Sequence, residues 1–191
     1  MAESPRVRLV AVLGSATAPG RLRRAVAEAL DRAVDGEVEL IDLGERRIAP
    51  ADGRPPDSLG DDTQATLAAI TRADAVLLAT PVYRGSFTGT LKNLLDHVPI
   101  EALRDKPVAI VAMGATAHHY LGAERHLRDV LSWFGALTLP TAVYLESADF
   151  EDGAPGVRAG AQLDAAIATA MKLAVATPVP LGPEPLAARA R

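Results

Sequence analysis

The chain contains no cysteine, and aromatic residues make up only 4% of its 191 positions. The absence of cysteine excludes disulfide bonds, a thiolate nucleophile and cysteine-ligated metal or iron–sulfur centres. It also fits a reducing compartment, because structural disulfides persist mainly in oxidising ones. Since 49% of the residues are hydrophobic, we expect an aliphatic core rich in alanine.

Long apolar runs are also missing from the sequence. No stretch approaches the roughly 20 apolar residues of a membrane-spanning helix, and the N-terminal MAESPRVR has no apolar signal-peptide region. The net charge of −4 gives no support to a nucleic-acid partner. We therefore expect a cytoplasmic protein that engages neither a membrane nor nucleic acid.

One α/β domain is the natural organisation for a chain of this length. Apolar runs, and one run that alternates charged and apolar residues as at a sheet edge, predict strands at 7–13, 37–43, 75–79, 107–113 and 136–145. Helical spacing of apolar residues predicts helices from Leu22 onward and at 61–72, 86–98, 120–134 and 157–176. The Pro-rich segment 177–191 has too little apolar patterning to fold alone, so we predict a domain over 1–176 followed by a tail.

The alternation of these strands and helices predicts a doubly wound, five-stranded parallel sheet. A flavodoxin-like strand order, 2-1-3-4-5, is the expected arrangement. In that order the first and third strands are neighbours at the topological switch point, where ligands bind beyond the carboxyl ends. The loops that begin at Gly14 and Thr80 should therefore share one crevice.

The first of these loops reads Gly-Ser-Ala-Thr-Ala-Pro-Gly-Arg over 14–21 and opens onto a helix. Backbone N–H groups and the dipole at a helix N-terminus bind phosphate well, and hydroxyl groups add donors. Ser15 and Thr17 supply hydroxyls, and Arg21 can add a charge-assisted hydrogen bond. The alternative is an ordinary strand-to-helix turn without a ligand.

The second loop follows the strand at 75–79, which Thr80 and Pro81 are expected to end because proline cannot donate to a sheet ladder. It reads Thr-Pro-Val-Tyr-Arg-Gly-Ser over 80–86, and Phe-Thr-Gly-Thr-Leu-Lys-Asn follows over 87–93. Ser86 or Thr88 can cap the helix that begins here. This stretch resembles the Pro-x-Tyr, Ser, Gly and Leu-Lys signature of the NAD(P)H-dependent FMN reductases. The resemblance covers residues 7–150. Within the family, the chain is similar to the branch that serves two-component alkanesulfonate monooxygenases.

This resemblance implies that the first loop holds the phosphate of FMN, with Ser15, Thr17, Arg21 and Leu22 as candidate residues. Gly14, Ser15 and Arg21 match the family pattern. The chain departs from that pattern at Thr17, Gly20 and Leu22, where related reductases carry an arginine and two hydroxyl residues. The resemblance also implies a homodimer or homotetramer, and FMN and NAD(P)H as the small-molecule partners.

Related reductases carry Gly-Gly-Thr-x-x-His after the fourth strand, and Gly114, Ala115, Thr116 and His119 stand at the corresponding positions here. For His119 the alternative is a histidine at a helix start with no chemical role. The resemblance thus implies a flavin site made from three strand ends. It assigns Tyr83 and the backbone of Val82, Arg84 and Gly85 to one side of the isoalloxazine ring, and Gly114, Ala115 and Thr116 to its other edge. Pro81, Ser86 and His119 are further candidate cofactor-binding residues.

The sequence shows no set of residues for catalysis by the protein alone, since it has no cysteine, no Gly-x-Ser-x-Gly elbow and no metal-ligand spacing. A cofactor would then carry the reaction. The resemblance implies hydride transfer from NAD(P)H to FMN, with reduced FMN supplied to a partner monooxygenase. An FMN-containing quinone or azo reductase and a flavodoxin-type electron carrier remain alternatives. A signalling receiver domain is disfavoured, because Gly14-Ser15 and Thr80-Pro81 stand where its acidic residues would be.

Two further segments bear on these alternatives. The loop over 44–60 is rich in Pro, Gly and Asp, and its Arg46, Arg47 and Arg54 are candidates for a dinucleotide phosphate, with exposed loop charges as the alternative. Arg125 stands where the sulfonate-linked branch carries an extra aromatic residue, so the chain departs from that branch at this position.

Overall fold

A parallel sheet with helices on both faces forms the body of the protein. The computed structural model describes residues 6–16, 20–33, 36–117, 120–177 and 179–185, with the backbone alone at 120 and 121. The strands of the sheet are β1 Val7–Leu13, β2 Gly36–Asp42, β3 Ala75–Pro81, β4 Pro107–Met113, β5 Leu137–Thr138 and β6 Val143–Leu145. Their order is β2-β1-β3-β4-β5, and β6 also pairs with β4. Every one of these pairs is parallel, which confirms the predicted order and places β2 at the edge.

Within the described residues, five α-helices cover the sheet: α1 Arg21–Asp31, α2 Thr63–Arg72, α3 Gly89–His97, α4 Tyr120–Phe134 and α5 Val157–Ala176. Successive side chains of a strand point to opposite faces, so β1 contributes Leu9 and Leu13 to one layer and Val10 and Val12 to the other. The first layer packs on α1 and α5, and the second packs on α2, α3 and α4. Both faces are thus buried, as the continuous apolar runs predict.

The fifth strand differs from its prediction, because the single run expected over 136–145 is divided into β5 and β6. Pro140 lies in the gap, and proline has no N–H to donate to the ladder. The carbonyl of Pro140 instead accepts a hydrogen bond of 3.0 Å from the Arg128 guanidinium. A short antiparallel hairpin, β7 Phe150–Glu151 and β8 Ala154–Pro155, then leads into α5.

Two boundaries next to the second loop also differ from the sequence prediction. β3 continues through Pro81, two residues past its expected end, because proline still offers its carbonyl to the ladder. The third helix begins at Gly89 rather than at 86, because Thr88 is the residue that caps it.

The described part of the chain after α5 lies against the body of the same molecule. The Leu181 N–H donates to Asp105 at 3.2 Å, and Glu184 lies 3.6 Å from Arg104. The division of the chain into a domain over 1–176 and a tail stays a prediction. Among the described helices, none combines the length and apolar character that crossing a bilayer requires.

Candidate functional site

The loops after β1, β3 and β4 lie side by side at the carboxyl edge of the sheet. The Gly14 N–H donates to the Ala79 carbonyl at 2.7 Å, which joins the first loop to the end of β3. The Val82 N–H donates to the Met113 carbonyl at 2.8 Å, which joins the second loop to the end of β4. The strand order therefore brings together the three segments that the sequence assigned to one site.

Thr88 ties the first loop to the start of α3. Its buried hydroxyl donates to the Gly14 carbonyl and accepts from the Leu91 N–H at 3.1 Å, so Thr88 rather than Ser86 is the helix cap. The Thr88 N–H donates to the Thr80 hydroxyl at 3.2 Å. A Cβ at Gly14 would lie 2.8 Å from the Leu91 Cβ, so a larger residue would push α3 away. These contacts hold the first loop, the end of β3 and the start of α3 as one unit.

The segment from Tyr83 to Ser86 forms a tight reverse turn. The Tyr83 N–H donates to the Ser86 carbonyl at 2.9 Å, and the Ser86 N–H donates back to Tyr83 at 3.1 Å. The two central residues, Arg84 and Gly85, have φ values of 53° and 77°, as in the hairpin turns that require left-handed backbone. Glycine adopts this conformation freely, but arginine does so rarely, and such strain is concentrated at functional sites. The turn leaves the Tyr83 side chain half exposed beside the crevice.

Helix α4 supports this turn from behind. A Cβ at Gly122 would lie 2.1 Å from the Gly85 carbonyl oxygen, so only glycine allows the helix backbone to approach so closely. One helical turn later, His126 Nδ1 lies 3.0 Å from the Ser86 hydroxyl. Neither Gly122 nor His126 is predicted from the sequence. The only signal available there is their i, i+4 spacing, which places both on one side of a helix.

The third segment, Gly114 to Thr116, is held by β6. The Gly114 N–H donates to the Leu145 carbonyl at 2.9 Å, and the Tyr144 hydroxyl donates to the Thr116 carbonyl at 2.6 Å. A Cβ at Gly114 would lie 1.9 Å from the Tyr144 hydroxyl oxygen, so this tyrosine occupies the space beside the glycine. Burial, together with the nearby Glu146 carboxylate, raises the pKa of Tyr144, which keeps its hydroxyl protonated and able to donate. Sequence reasoning missed Tyr144 because it lies in a strand rather than in a loop.

The first loop has the features of a phosphate site at the start of α1. Its N-cap is Gly20, which has no side chain to accept the first free N–H groups, and the first turn has no acidic residue. Ser15 lies half-buried in the same loop. Backbone donors, a hydroxyl and the positive end of a helix dipole are a donor set that fits a phosphate.

Not every residue assigned to this loop points a side chain toward it. The Arg21 guanidinium donates to the Ser147 hydroxyl at 3.2 Å and lies 5.2 Å from the centroid of the Phe150 ring. Leu22 is buried in the core, which leaves its backbone N–H as the group able to serve a ligand. Thr17 and His119 lie outside the described residues, so their assignments stay predictions.

The loop after β6 contains a carboxylate, Asp149, that is hydrogen-bonded to its neighbours. Asp149 accepts hydrogen bonds from the Arg158 guanidinium at 2.7 Å and from the Glu146 N–H at 2.9 Å. Burial acts to raise the pKa of Asp149, but these two donors outweigh burial and hold the pKa below its usual value. Within the described ranges, no group of three His, Asp or Glu side chains is placed to hold a metal ion.

Comparison with known proteins agrees with this geometry. Residues 7–150 match the family model of NADPH-dependent FMN reductases. The chain is 37% identical over 116 residues to an NAD(P)H-dependent FAD/FMN reductase of Geobacillus thermodenitrificans, and the match covers 61% of this chain and 63% of that protein. It is 34% identical over 183 residues to the NADH-dependent FMN reductase SfnE of Pseudomonas putida, which covers 93% of this chain and 94% of that protein.

A solved structure is similar over most of the chain. The apo form of the NADH:FMN oxidoreductase EMOB superposes with a TM-score of 0.72 at 25% identity, covering 87% of this chain and 89% of that one. The span matched by the family model includes all three loops of the crevice and the helices that follow them. On this match the chain belongs to the NADPH-dependent FMN reductase family.

Proposed function

We propose that this protein is an NAD(P)H-dependent FMN reductase and that FMN and the nicotinamide dinucleotide meet at the carboxyl edge of the sheet. The observation that carries the proposal is the convergence of three loops at the switch point, joined by the Gly14–Ala79 and Val82–Met113 hydrogen bonds. When bound, FMN supplies the redox chemistry by accepting a hydride from the nicotinamide. The part of the chain is to bind, orient and shield the two ligands.

In this proposal the first loop binds the phosphate of FMN. The Ser15 hydroxyl and the backbone N–H groups of the first turn of α1, including those of Arg21 and Leu22, are the donors. The Arg21 side chain, held by Ser147 and Phe150, contributes positive charge and links this loop to the hairpin after β6. Thr17 is assigned here as a second hydroxyl donor from the sequence alone.

In the same proposal the isoalloxazine ring binds between the second and third loops. The turn at 83–86 borders one side, where half-exposed Tyr83 offers an aromatic face and Pro81 and Val82 continue the wall. The segment 114–116, held by Tyr144, borders the other edge. His119 is assigned to the flavin by the sequence resemblance alone. The bonds from Thr88 and Tyr144 hold both walls before any ligand arrives, and such preorganisation lowers the entropic cost of binding.

We further propose that FMN is a substrate that leaves after each turnover and supplies reduced flavin to a monooxygenase. Gly20 and Leu22 replace hydroxyl residues of related reductases, and each missing donor removes about 1 kcal/mol, or nearly a factor of ten in affinity. Weak retention suits a flavin that is handed to another enzyme. A quinone or azo reductase that keeps its FMN is the alternative.

Flavin titration and one activity assay test these proposals. We expect the purified protein to be largely colourless, to bind FMN more tightly than riboflavin, and to oxidise NAD(P)H in proportion to added FMN. Ser15→Ala should weaken FMN binding about three- to tenfold and leave riboflavin binding unchanged. Ser132→Ala, at the far end of α4, is the matched control.

The possible outcomes separate the alternatives. Equal affinities for FMN and riboflavin would refute the phosphate site. No oxidation of NAD(P)H with FMN would refute the reductase activity. A yellow protein with one FMN per subunit that reduces quinones without added flavin would support the alternative.

We also propose a homodimer or homotetramer located in the cytoplasm. Trp133 is 62% exposed on α4, and an exposed tryptophan is typical of a surface that another subunit covers. The absence of cysteine supports the cytoplasmic location. Light scattering at micromolar concentration tests the assembly, and a monomer would contradict it.

A further inference from the structure

Two arginines beside the Tyr83–Ser86 turn have no acidic partner among the residues that the structure describes. Arg84 lies in the turn and Arg125 lies on α4, and both side chains are exposed. None of the ion pairs formed within the described ranges uses either residue. Most other arginines in those ranges do have acidic partners: Arg8, Arg23, Arg24, Arg32, Arg46, Arg54, Arg104, Arg128 and Arg158.

The contact between the turn and α4 brings these two arginines to one place. Arg84 directly precedes Gly85, whose carbonyl lies against the backbone of Gly122. Arg125 is three residues after Gly122 and directly precedes His126, which contacts Ser86. Because residues three apart lie on neighbouring positions of a helix surface, Arg125 borders the same junction.

The charges around this junction leave it positive. Arg128 binds Glu124 at 2.8 Å. Among the ion pairs of the described residues, none joins Arg125 to Asp129, which lies one helical turn later. The whole chain has a net charge of −4, so this local excess of positive charge runs against the overall balance. Unpaired guanidinium groups beside a ligand crevice are suited to an anion, because their planar fork matches phosphate oxygens.

Two arginines of the 44–60 loop, Arg46 and Arg54, are less suited to that role. Arg54 donates to the Asp52 carboxylate, which lies 2.8 Å from the guanidinium, and Arg46 lies 3.7 Å from Asp62. A ligand phosphate would have to displace those carboxylates, whereas no carboxylate of the described residues occupies Arg84 or Arg125.

We propose that Arg84 and Arg125 recognise a phosphate of the nicotinamide dinucleotide. The inference rests on the proposed function, since a nicotinamide beside Tyr83 leaves the rest of the dinucleotide to run outward over the turn. Two phosphate groups have this chemistry. The pyrophosphate is common to NADH and NADPH, whereas the ribose 2′-phosphate is present only in NADPH.

Steady-state kinetics of the full-length chain with NADPH and with NADH, at saturating FMN, test the proposal. The variants are Arg125→Ala, Arg84→Asn and the double variant. Asparagine is chosen because it tolerates the left-handed backbone at position 84. Arg72→Ala is the control, because Arg72 is also exposed and forms no ion pair with a described residue, but it lies in the last turn of α2, at the opposite edge of the sheet.

We expect each variant to raise KM for the dinucleotide about three- to tenfold, the double variant to raise it further, and added salt to shrink the effect. A rise for NADPH alone identifies the 2′-phosphate, and an equal rise for both dinucleotides identifies the pyrophosphate. Unchanged KM values for both, or an equal rise in Arg72→Ala, would overturn the proposal.

FMN binding measured without dinucleotide separates this inference from the proposed function. We expect Arg125→Ala to bind FMN as the wild type does. A wild type that does not oxidise NAD(P)H with FMN would refute the proposed function itself. An active wild type whose arginine variants keep their KM values would refute only the phosphate assignment.

Discussion

Replacing Thr88 by valine should destabilise the protein through the loss of one hydroxyl. Valine has nearly the same shape as threonine, so the substitution leaves no cavity in this buried position. The hydroxyl caps α3 through the Leu91 N–H, and losing such a cap costs about 1 kcal/mol. The same hydroxyl donates to the Gly14 carbonyl, and an acceptor left unsatisfied costs about 1–3 kcal/mol.

The free energy of unfolding should therefore fall by about 2–4 kcal/mol, a large share of the 5–15 kcal/mol typical of a domain. Thr88→Ser is the matched control, because serine keeps the hydroxyl and loses one methyl group, at a cost of about 1 kcal/mol. Urea denaturation of the flavin-free protein, followed by circular dichroism, measures both variants without a contribution from ligand binding.

The comparison of the two variants decides the matter. If the free energies of unfolding of Thr88→Val and Thr88→Ser differ by less than about 0.5 kcal/mol, the hydrogen bonds of the Thr88 hydroxyl do not hold the loops together. If valine destabilises the protein more than serine does, FMN affinity should fall with stability, because the Gly14 segment begins the phosphate loop.

Three further predictions concern the walls of the crevice and a half-buried lysine. Gly122→Ala places a methyl group 2.1 Å from the Gly85 carbonyl oxygen, so the turn must move and FMN affinity should fall at least about tenfold by fluorescence titration; an unchanged affinity would contradict the support by α4. Tyr144→Phe removes the donor to the Thr116 carbonyl and should lower the free energy of unfolding by about 1 kcal/mol and weaken FMN binding, whereas a silent variant would show that this bond is dispensable. Burial lowers the pKa of Lys106 from 10.5 to about 8, although its ammonium donates to the carbonyls of Ile70 and Thr71. The unfolded chain then binds more protons than the folded one between these two pKa values, so the wild type should gain stability relative to Lys106→Met as pH rises through that interval; parallel stability curves would refute the shift.

Much of the fold was predictable because it depends on local patterns. The run at 75–79 is apolar on both faces, which indicates a central parallel strand, and the spacing of Leu91, Leu94 and Leu95 indicates a helix packed on one side. Once the strands and helices alternate, right-handed crossovers leave few possible strand orders. The division of the fifth strand at Pro140 was not predicted, because the apolar residues on both sides of that proline are typical of one continuous strand.

The candidate site was predictable only in part. Loop positions after β1, β3 and β4 follow from strand order, so residues such as Ser15 and Tyr83 could be named in advance. The supports of those loops could not be named, because Ser86 meets His126 across 40 residues and Thr116 meets Tyr144 across 28. The residue pattern around one partner does not indicate the other, because the two partners meet only through the packing of α4 and β6 on the sheet.

Arg21 shows where the division between sequence and tertiary structure lies. The sequence by itself determined that a strand, a small-residue loop and a helix follow one another at 7–31, because each depends on neighbouring residues, and it thereby placed Arg21 at a helix N-terminus. Only the tertiary structure decided that its guanidinium meets Ser147, 126 residues away, and Phe150. A long, flexible side chain finds its partner among the groups that folding brings near, and here the segment 147–150 after β6 supplies them.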